Sequence, residues 1–218
     1  MHRLFTYKGV IGLDLYKTIK MESSDEFVER RSRFIGYAKP VETEEEAVSF
    51  INSKREKHRD ATHNVYAYIL RDRQIMRYSD DGEPQGTAGI PVLDVLKKNE
   101  LTDLVVVVTR YFGGTLLGAG GLVRAYSHGA SIAINAAGII SMKLCAELKL
   151  TCDYSGYGKI SSLIASFNGK LIKEEFLDLV TLDFYILKKD VGLFNKELSE
   201  VSSGKVVAEN LREKFAEM

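Results

Sequence analysis

The 218-residue sequence predicts an α+β protein, and three observations carry that reading. Strand-like and helix-like periodicities are interleaved along the chain, four consecutive valines occupy positions 105–108, and the pattern changes character near Gly138. A strand is expected over 27–41. Thr43 and Glu46 then have the spacing of a capping box, and Ala47, Phe50 and Ile51 mark the buried stripe of a first helix. Strands are expected over 65–71 and 74–78, a short helix over 91–98, and a strand over 105–109. An unbroken valine run suits a strand covered on both faces. A helix over 119–137 closes this half, and its Ala, Gly and Ser content lets it lie very near a sheet.

From 144 to about 210 the elements follow the order β-α-β-β-α-β. Leu144, Ala146, Leu148 and Leu150 alternate with Cys145, Glu147, Lys149 and Thr151, which is strand periodicity. Ile160, Leu163, Ile164 and Phe167 fall on one helical face before Asn168-Gly169 ends the helix. Val180, Leu182, Phe184 and Ile186 alternate again, Val191, Phe194, Leu198 and Val201 return to helical spacing, and 205–208 opens a last strand. This order is that of a ferredoxin-like domain. Two domains are therefore expected, 1–138 and 139–218, with no Pro- or Gly-rich linker between them.

Composition removes several function classes. Thirty basic and thirty acidic residues cancel, so attraction to a polyanion has to come from a local patch. No apolar run is long enough to span a bilayer, and the first residues lack the apolar core of a secretion signal, so a cytoplasmic protein with no membrane partner is expected. Cys145 and Cys152 lie an odd number of residues apart on one strand and point to opposite faces, which precludes a bond between them. Neither a disulfide framework nor a zinc site is indicated.

Glycines and charges concentrate between Tyr78 and Ala130. Asp81-Gly82 is a strong turn signal that brings Asp80, Asp81 and Glu83 together. Such carboxylates repel one another unless a cation compensates, so the loop reads as a Mg²⁺ site, as an acceptor for a basic protein partner, or as a solvated hairpin tip. A second loop carries Arg110, Tyr111, Gly113, Gly114, Gly118, Gly120, Gly121 and Arg124. Its glycines free the backbone amides to face a ligand, and the following helix adds the positive end of its dipole. A phosphate or carboxylate held by Arg110 and Arg124 is one reading. Tight strand-to-helix packing is the other. Ala119-Gly120 stands where a phosphate-binding P-loop needs Lys-Ser/Thr, and Val123 where a dinucleotide turn needs Gly or Ala, so both fingerprints fail. His63 and Asn64 precede a strand as possible accessories, whereas His128 beside Ser127 makes no triad, because adjacent helical side chains diverge. Arg30, Arg31 and Arg33, ahead of Phe34 and Tyr37, form either a basic and aromatic RNA surface or the solvated face of an edge strand.

The segments ArgSerArgPheIleGly at 31–36, AspAlaThrHisAsn at 60–64, SerAspAspGlyGluProGlnGlyThrAlaGly at 79–89, ThrArgTyrPheGly at 109–113 and LeuGlyAlaGlyGlyLeuValArgAlaTyr at 117–126 resemble the YigZ/IMPACT family. The likeness spans about residues 20–135, and the rest resembles the second domain of the bacterial YigZ type. It implies an N-terminal domain of the ribosomal-protein βαβ type, also found in elongation factor G, and a C-terminal domain similar to that factor's last one. It also implies a setting in translation: eukaryotic IMPACT proteins regulate translation through protein contacts, and the bacterial type has been linked to nucleic acid and the ribosome. A peptidase label carried by some relatives lacks its metal-ligand set here. The expectation is a non-enzymatic protein that binds RNA or a ribosome-linked factor through the glycine and arginine loop, with no cofactor. The alternatives are a protein-interaction module using Asp80, Asp81 and Glu83, and a Mg²⁺-dependent enzyme on the same carboxylates.

Overall fold

The computed structural model describes residues 14–218, and the expectation for the extreme N-terminus lies outside the described residues. Contacts divide the chain into two compact units, one over Tyr16–Ile140 and one over Ser141–Met218 together with the residues just before Tyr16. The first contains β1 (Leu15–Ile19) apart from Leu15, β2 (Ser23–Glu29), β3 (Ser32–Pro40), α1 (Glu44–Lys57), β4 (His63–Leu70), β5 (Ile75–Ser79), α2 (Gly89–Lys98), β6 (Leu104–Tyr111) and α3 (Ala119–Ala137). The second contains β7 (Ile139–Cys152) apart from its first two residues, α4 (Tyr154–Ser166), β8 (Lys170–Phe176), β9 (Val180–Leu187), α5 (Val191–Val201) and β10 (Glu209–Glu217).

In the first unit the sheet runs β2-β3-β6-β4-β5, with antiparallel ladders throughout. β3 and β4 are both antiparallel to β6, so they run parallel to each other with β6 inserted between them and α1 as the crossover. β6 is consequently buried on both sides. Val105 and Val107 face α1 through Phe50 and Ile51, while Val106 and Val108 face α2 and α3. The small residues of α3 have a direct use, since a Cβ added at Gly36 on β3 would overlap the carbonyl oxygen of Gly129 on α3. Thr43 caps α1 by accepting from the Glu46 amide at 3.2 Å, and the Glu46 carboxylate accepts from the Glu42 amide at 2.8 Å, one residue earlier than a capping box requires.

One expected strand is in fact two. The run 27–41 is broken at Arg30 and Arg31, whose φ angles of 45° and 68° make the primed two-residue turn that suits the twist of a hairpin. Asn or Gly normally marks such a turn, and neither is present.

The second unit has the order expected of its fold: β10 and β9 flank β7, and β8 flanks β9. Ala146, Leu148, Leu150, Leu182, Phe184 and Ile186 meet the buried faces of α4 and α5. Asp153 caps α4 by accepting from the Gly156 amide at 2.7 Å. The last strand starts at Glu209, later than the expected 205–208, which lead into it without regular structure. Cys145 and Cys152 are free and buried, with only Cys152 on the helix-covered face. Among the described residues no helix is long and apolar enough to cross a membrane.

Candidate functional site

One end of the first unit's sheet gathers the Arg30-Arg31 hairpin, the start of β4, the end of β6, the loop 80–88 and the start of α3. Register sets the centre: Arg110 on β6 lies opposite Phe34 on β3 and opposite His63 on β4.

The acidic loop folds inward. Asp81 and Gly82 take φ angles of 46° and 89°, and the Glu83 amide donates to the Asp80 carbonyl at 3.0 Å, closing the turn that the sequence signals. Helix α2 has no side-chain cap of its own. Asp80 supplies one from a distance, accepting from the amides of Gly86, Ala88 and Gly89 at 2.9, 3.1 and 2.8 Å. Asp81 accepts from the Asn64 amide at 2.6 Å and from Arg55 Nη2 at 2.9 Å. Glu83, only 7 % exposed, accepts from Arg110 Nη1 at 2.6 Å and from the Tyr126 hydroxyl at 2.7 Å. Burial and the Glu83 charge push the Tyr126 phenol far above its usual range.

These contacts correct the expectation for Asp80, Asp81 and Glu83 as an outward-facing patch or a Mg²⁺ site, because internal donors take both oxygens of Asp80 and Asp81 and Oε1 of Glu83. Among the described residues no group of three or more His, Cys, Asp or Glu is arranged to hold a metal ion. His63 and Asn64 belong to the same inner network. His63 Nδ1 lies 2.8 Å from the Asp81 carbonyl, so that nitrogen carries the proton, and Nε2 stands 3.7 Å from Glu83. Asn64 accepts from the Thr109 hydroxyl at 2.8 Å.

Arg110 also departs from expectation. It is 5 % exposed, paired with Glu83, and has the rings of Phe34 and Phe112 at 5.5 and 5.4 Å from its guanidinium carbon. Buried in this way it is not an open contact for a polyanion. Tyr111 is occupied as well: its hydroxyl lies 2.8 Å from His58 Nδ1 and donates to Asp60 at 3.2 Å. His58 Nε2 lies 2.6 Å from the Tyr37 hydroxyl. Since Tyr111 gives its proton to Asp60, it accepts from Nδ1–H, and Tyr37 then donates to Nε2. Burial and the neighbouring Lys57 charge hold His58 below its ordinary pKa.

The glycine loop is different. Gly113 still serves the interior, donating to Ser32 Oγ at 3.2 Å, and a Cβ there would overlap the Arg31 carbonyl. Beyond it, among the described residues, no amide of 114–121 donates to another part of the chain; the next, Leu122, closes the first turn on Gly118 at 2.9 Å. Gly114, Gly118 and Gly120 are exposed, and Gly121 is half-buried. Helix α3 opens with neither a side-chain cap nor an acidic residue in its first turn. Arg124, itself exposed, leans back over that turn, its Nη1 3.6 Å from where a Gly120 Cβ would lie. A cation at the positive end of a helix is unfavourable unless an anion joins it. Phe112 is 45 % exposed beside this opening.

The structure thus joins the acidic loop to Arg110 through Glu83, and leaves the glycine loop and Arg124 facing outward. Sequence reasoning missed Ser32 and His58, and it read Tyr37 as part of an RNA surface rather than as a partner of His58. Ser32 carried a signal as a member of the 31–36 segment, and His58 carried none.

Comparison with known proteins bears on both units. Residues 30–134 match the family described as the Impact N-terminal domain, and residues 150–205 match the Domain of unknown function (DUF1949). The chain is 40 % identical over 194 residues to the IMPACT family member YvyE of Bacillus subtilis, covering 88 % of this chain and 89 % of that one. It is 35 % identical over 178 residues to the IMPACT family member YigZ of Escherichia coli, covering 80 % and 87 %. A solved structure described as the crystal structure of an hypothetical protein is similar over 92 % of this chain and 99 % of its own, with a TM-score of 0.58 and 31 % identity. With both units matched and the bacterial relatives aligned along most of their length, the chain belongs to the IMPACT family.

Proposed function

We propose that the chain is a binding protein that works around translation and holds RNA, or a ribosome-linked partner presenting phosphate, at the start of α3. One observation carries this reading: the unbonded amides of 114–121 open onto an uncapped helix whose first turn is covered by the Arg124 cation. Amides and dipole favour an anion there, and an anion relieves the misplaced positive charge. Arg30 and Arg31, exposed on the hairpin tip whose backbone abuts Gly113, extend the basic surface, and the exposed Phe112 ring offers a base a stacking face. Arg110 and Tyr111, included in the sequence-based expectation, support the surface from beneath. The family likeness supports the setting in translation.

The test is binding of a fluorescent single-stranded RNA followed by anisotropy across a salt series. Affinity is expected to fall as salt rises, and Arg124→Ala or a paired Arg30→Ala and Arg31→Ala change is expected to weaken binding and flatten the salt slope by about one unit per lost contact. No binding at low salt, or binding indifferent to these arginines, would overturn the reading.

A further inference from the structure

At the end of β6 two neighbouring buried groups hold donors that no described acceptor takes. Arg110 Nε is enclosed and without a partner, and Nη2 reaches only Ser32 Oγ, at 3.4 Å. Ser32 is fully buried and already accepts from the Gly113 amide, yet its own hydroxyl proton is given to no described residue. Nε–H and Nη2–H run side by side along one edge of a guanidinium, the edge that grips two oxygens of a carboxylate or phosphate. Glu83 binds Nη1 and fixes the group with that edge largely unspent. Of the two rings against the cation, Phe34 is fully buried and Phe112 is half in solvent, so Phe112 is the side from which a ligand would approach.

We propose that Arg110 and Ser32, with the Gly113 amide beside them, form a subsite for a phosphomonoester group: the terminal phosphate of an RNA strand, or free phosphate. Depth selects the ligand. An internal phosphodiester carries a ribose on each side and cannot bring its oxygens to the enclosed Nε–H, whereas a terminal phosphate presents its free oxygens first. Glu83 already balances Arg110, so the exposed Arg31, whose backbone adjoins Gly113, supplies positive charge toward the ligand. The RNA form of this inference rests on the function proposed above and adds the end of the strand as what is recognised.

Two RNA strands of one sequence, with phosphate at both ends or hydroxyl at both ends, separate the possibilities, together with inorganic phosphate titrated while the Gly113 amide is followed by NMR. The phosphorylated strand is expected to bind at least about tenfold tighter, as two charge-assisted bonds would give. Ser32→Ala and Arg110→Lys are expected to abolish that preference, Phe112→Ala to keep or enhance it, and Arg124→Ala to weaken both strands alike. Should Arg110→Lys fail the circular dichroism check for folding, the Ser32→Ala ratio decides. A Gly113 shift saturating with inorganic phosphate while both strands bind equally assigns the subsite to free phosphate. Equal binding of the strands with no Gly113 shift overturns the subsite and leaves the RNA reading standing; no RNA binding and no shift removes both.

Discussion

The hydroxyl of Tyr126 on α3 and the carboxylate of Glu83 in the loop before α2 meet at 2.7 Å, and the same Glu83 oxygen binds Arg110 on β6. Three separate stretches of chain are thereby tied at one buried atom. Tyr126→Phe leaves the ion pair in place and is expected to cost about 1–2 kcal/mol, whereas Glu83→Gln strands the buried guanidinium and is expected to cost about 3–5 kcal/mol. Urea midpoints of the two variants check the order, and equal losses would show that the hydroxyl matters as much as the charge.

Asp80 acts as a borrowed cap for α2, satisfying three amides that the local sequence leaves open. Asp80→Ala is expected to destabilise the first unit by about 1–2 kcal/mol, and Asp80→Asn by less, since the amide oxygen still accepts. Hydrogen exchange should rise first at Ala88 and Gly89. Protection unchanged at those two amides in the alanine variant contradicts this role.

Stability is expected to depend on pH through His58. A histidine whose folded pKa lies below its unfolded value binds fewer protons when folded, so its contribution is fully present above about 6.5 and is lost as pH falls from there through the folded value. Denaturant unfolding at several pH values between about 5 and 8 reads the slope. His58→Gln should lower stability near neutrality and flatten that slope, and a slope that persists unchanged points to another group.

Replacing Arg30-Arg31 by Asn-Gly should separate stability from binding. Left-handed φ angles are costly for arginine and natural for Asn and Gly, so the double variant is expected to gain about 1 kcal/mol in urea while losing RNA affinity. A more stable protein with undiminished affinity would mean that the strained turn is not kept for its charges.

Most of the architecture was legible because it rests on local pattern. The valine run of β6, the limits of α3 and the alternation in β7 and β9 are set by burial periodicity, which a sequence displays directly. The hairpin at Arg30-Arg31 was invisible because its residues contradict their own turn preference. At the site, the glycine loop was legible as unusual backbone, but the fate of the carboxylates was not. Asp81 finds its partners at Asn64 and Arg55, and Glu83 finds its partners at Arg110 and Tyr126, and no spacing rule links positions so far apart. The same holds for His58, whose tyrosines come from β3 and β6.

The placing of β6 between β3 and β4 governs how this half of the protein can be made. Until the ribosome has released Leu104–Tyr111, the two earlier strands have no neighbour to share, and each presents a raw margin of amides and carbonyls to whatever is near. A fragment ending at Glu100 should therefore be a poor folder that aggregates when expressed, although it holds most of the residues of the finished sheet. The unit can be completed only once β6 is present, and the glycine loop is synthesised after that strand.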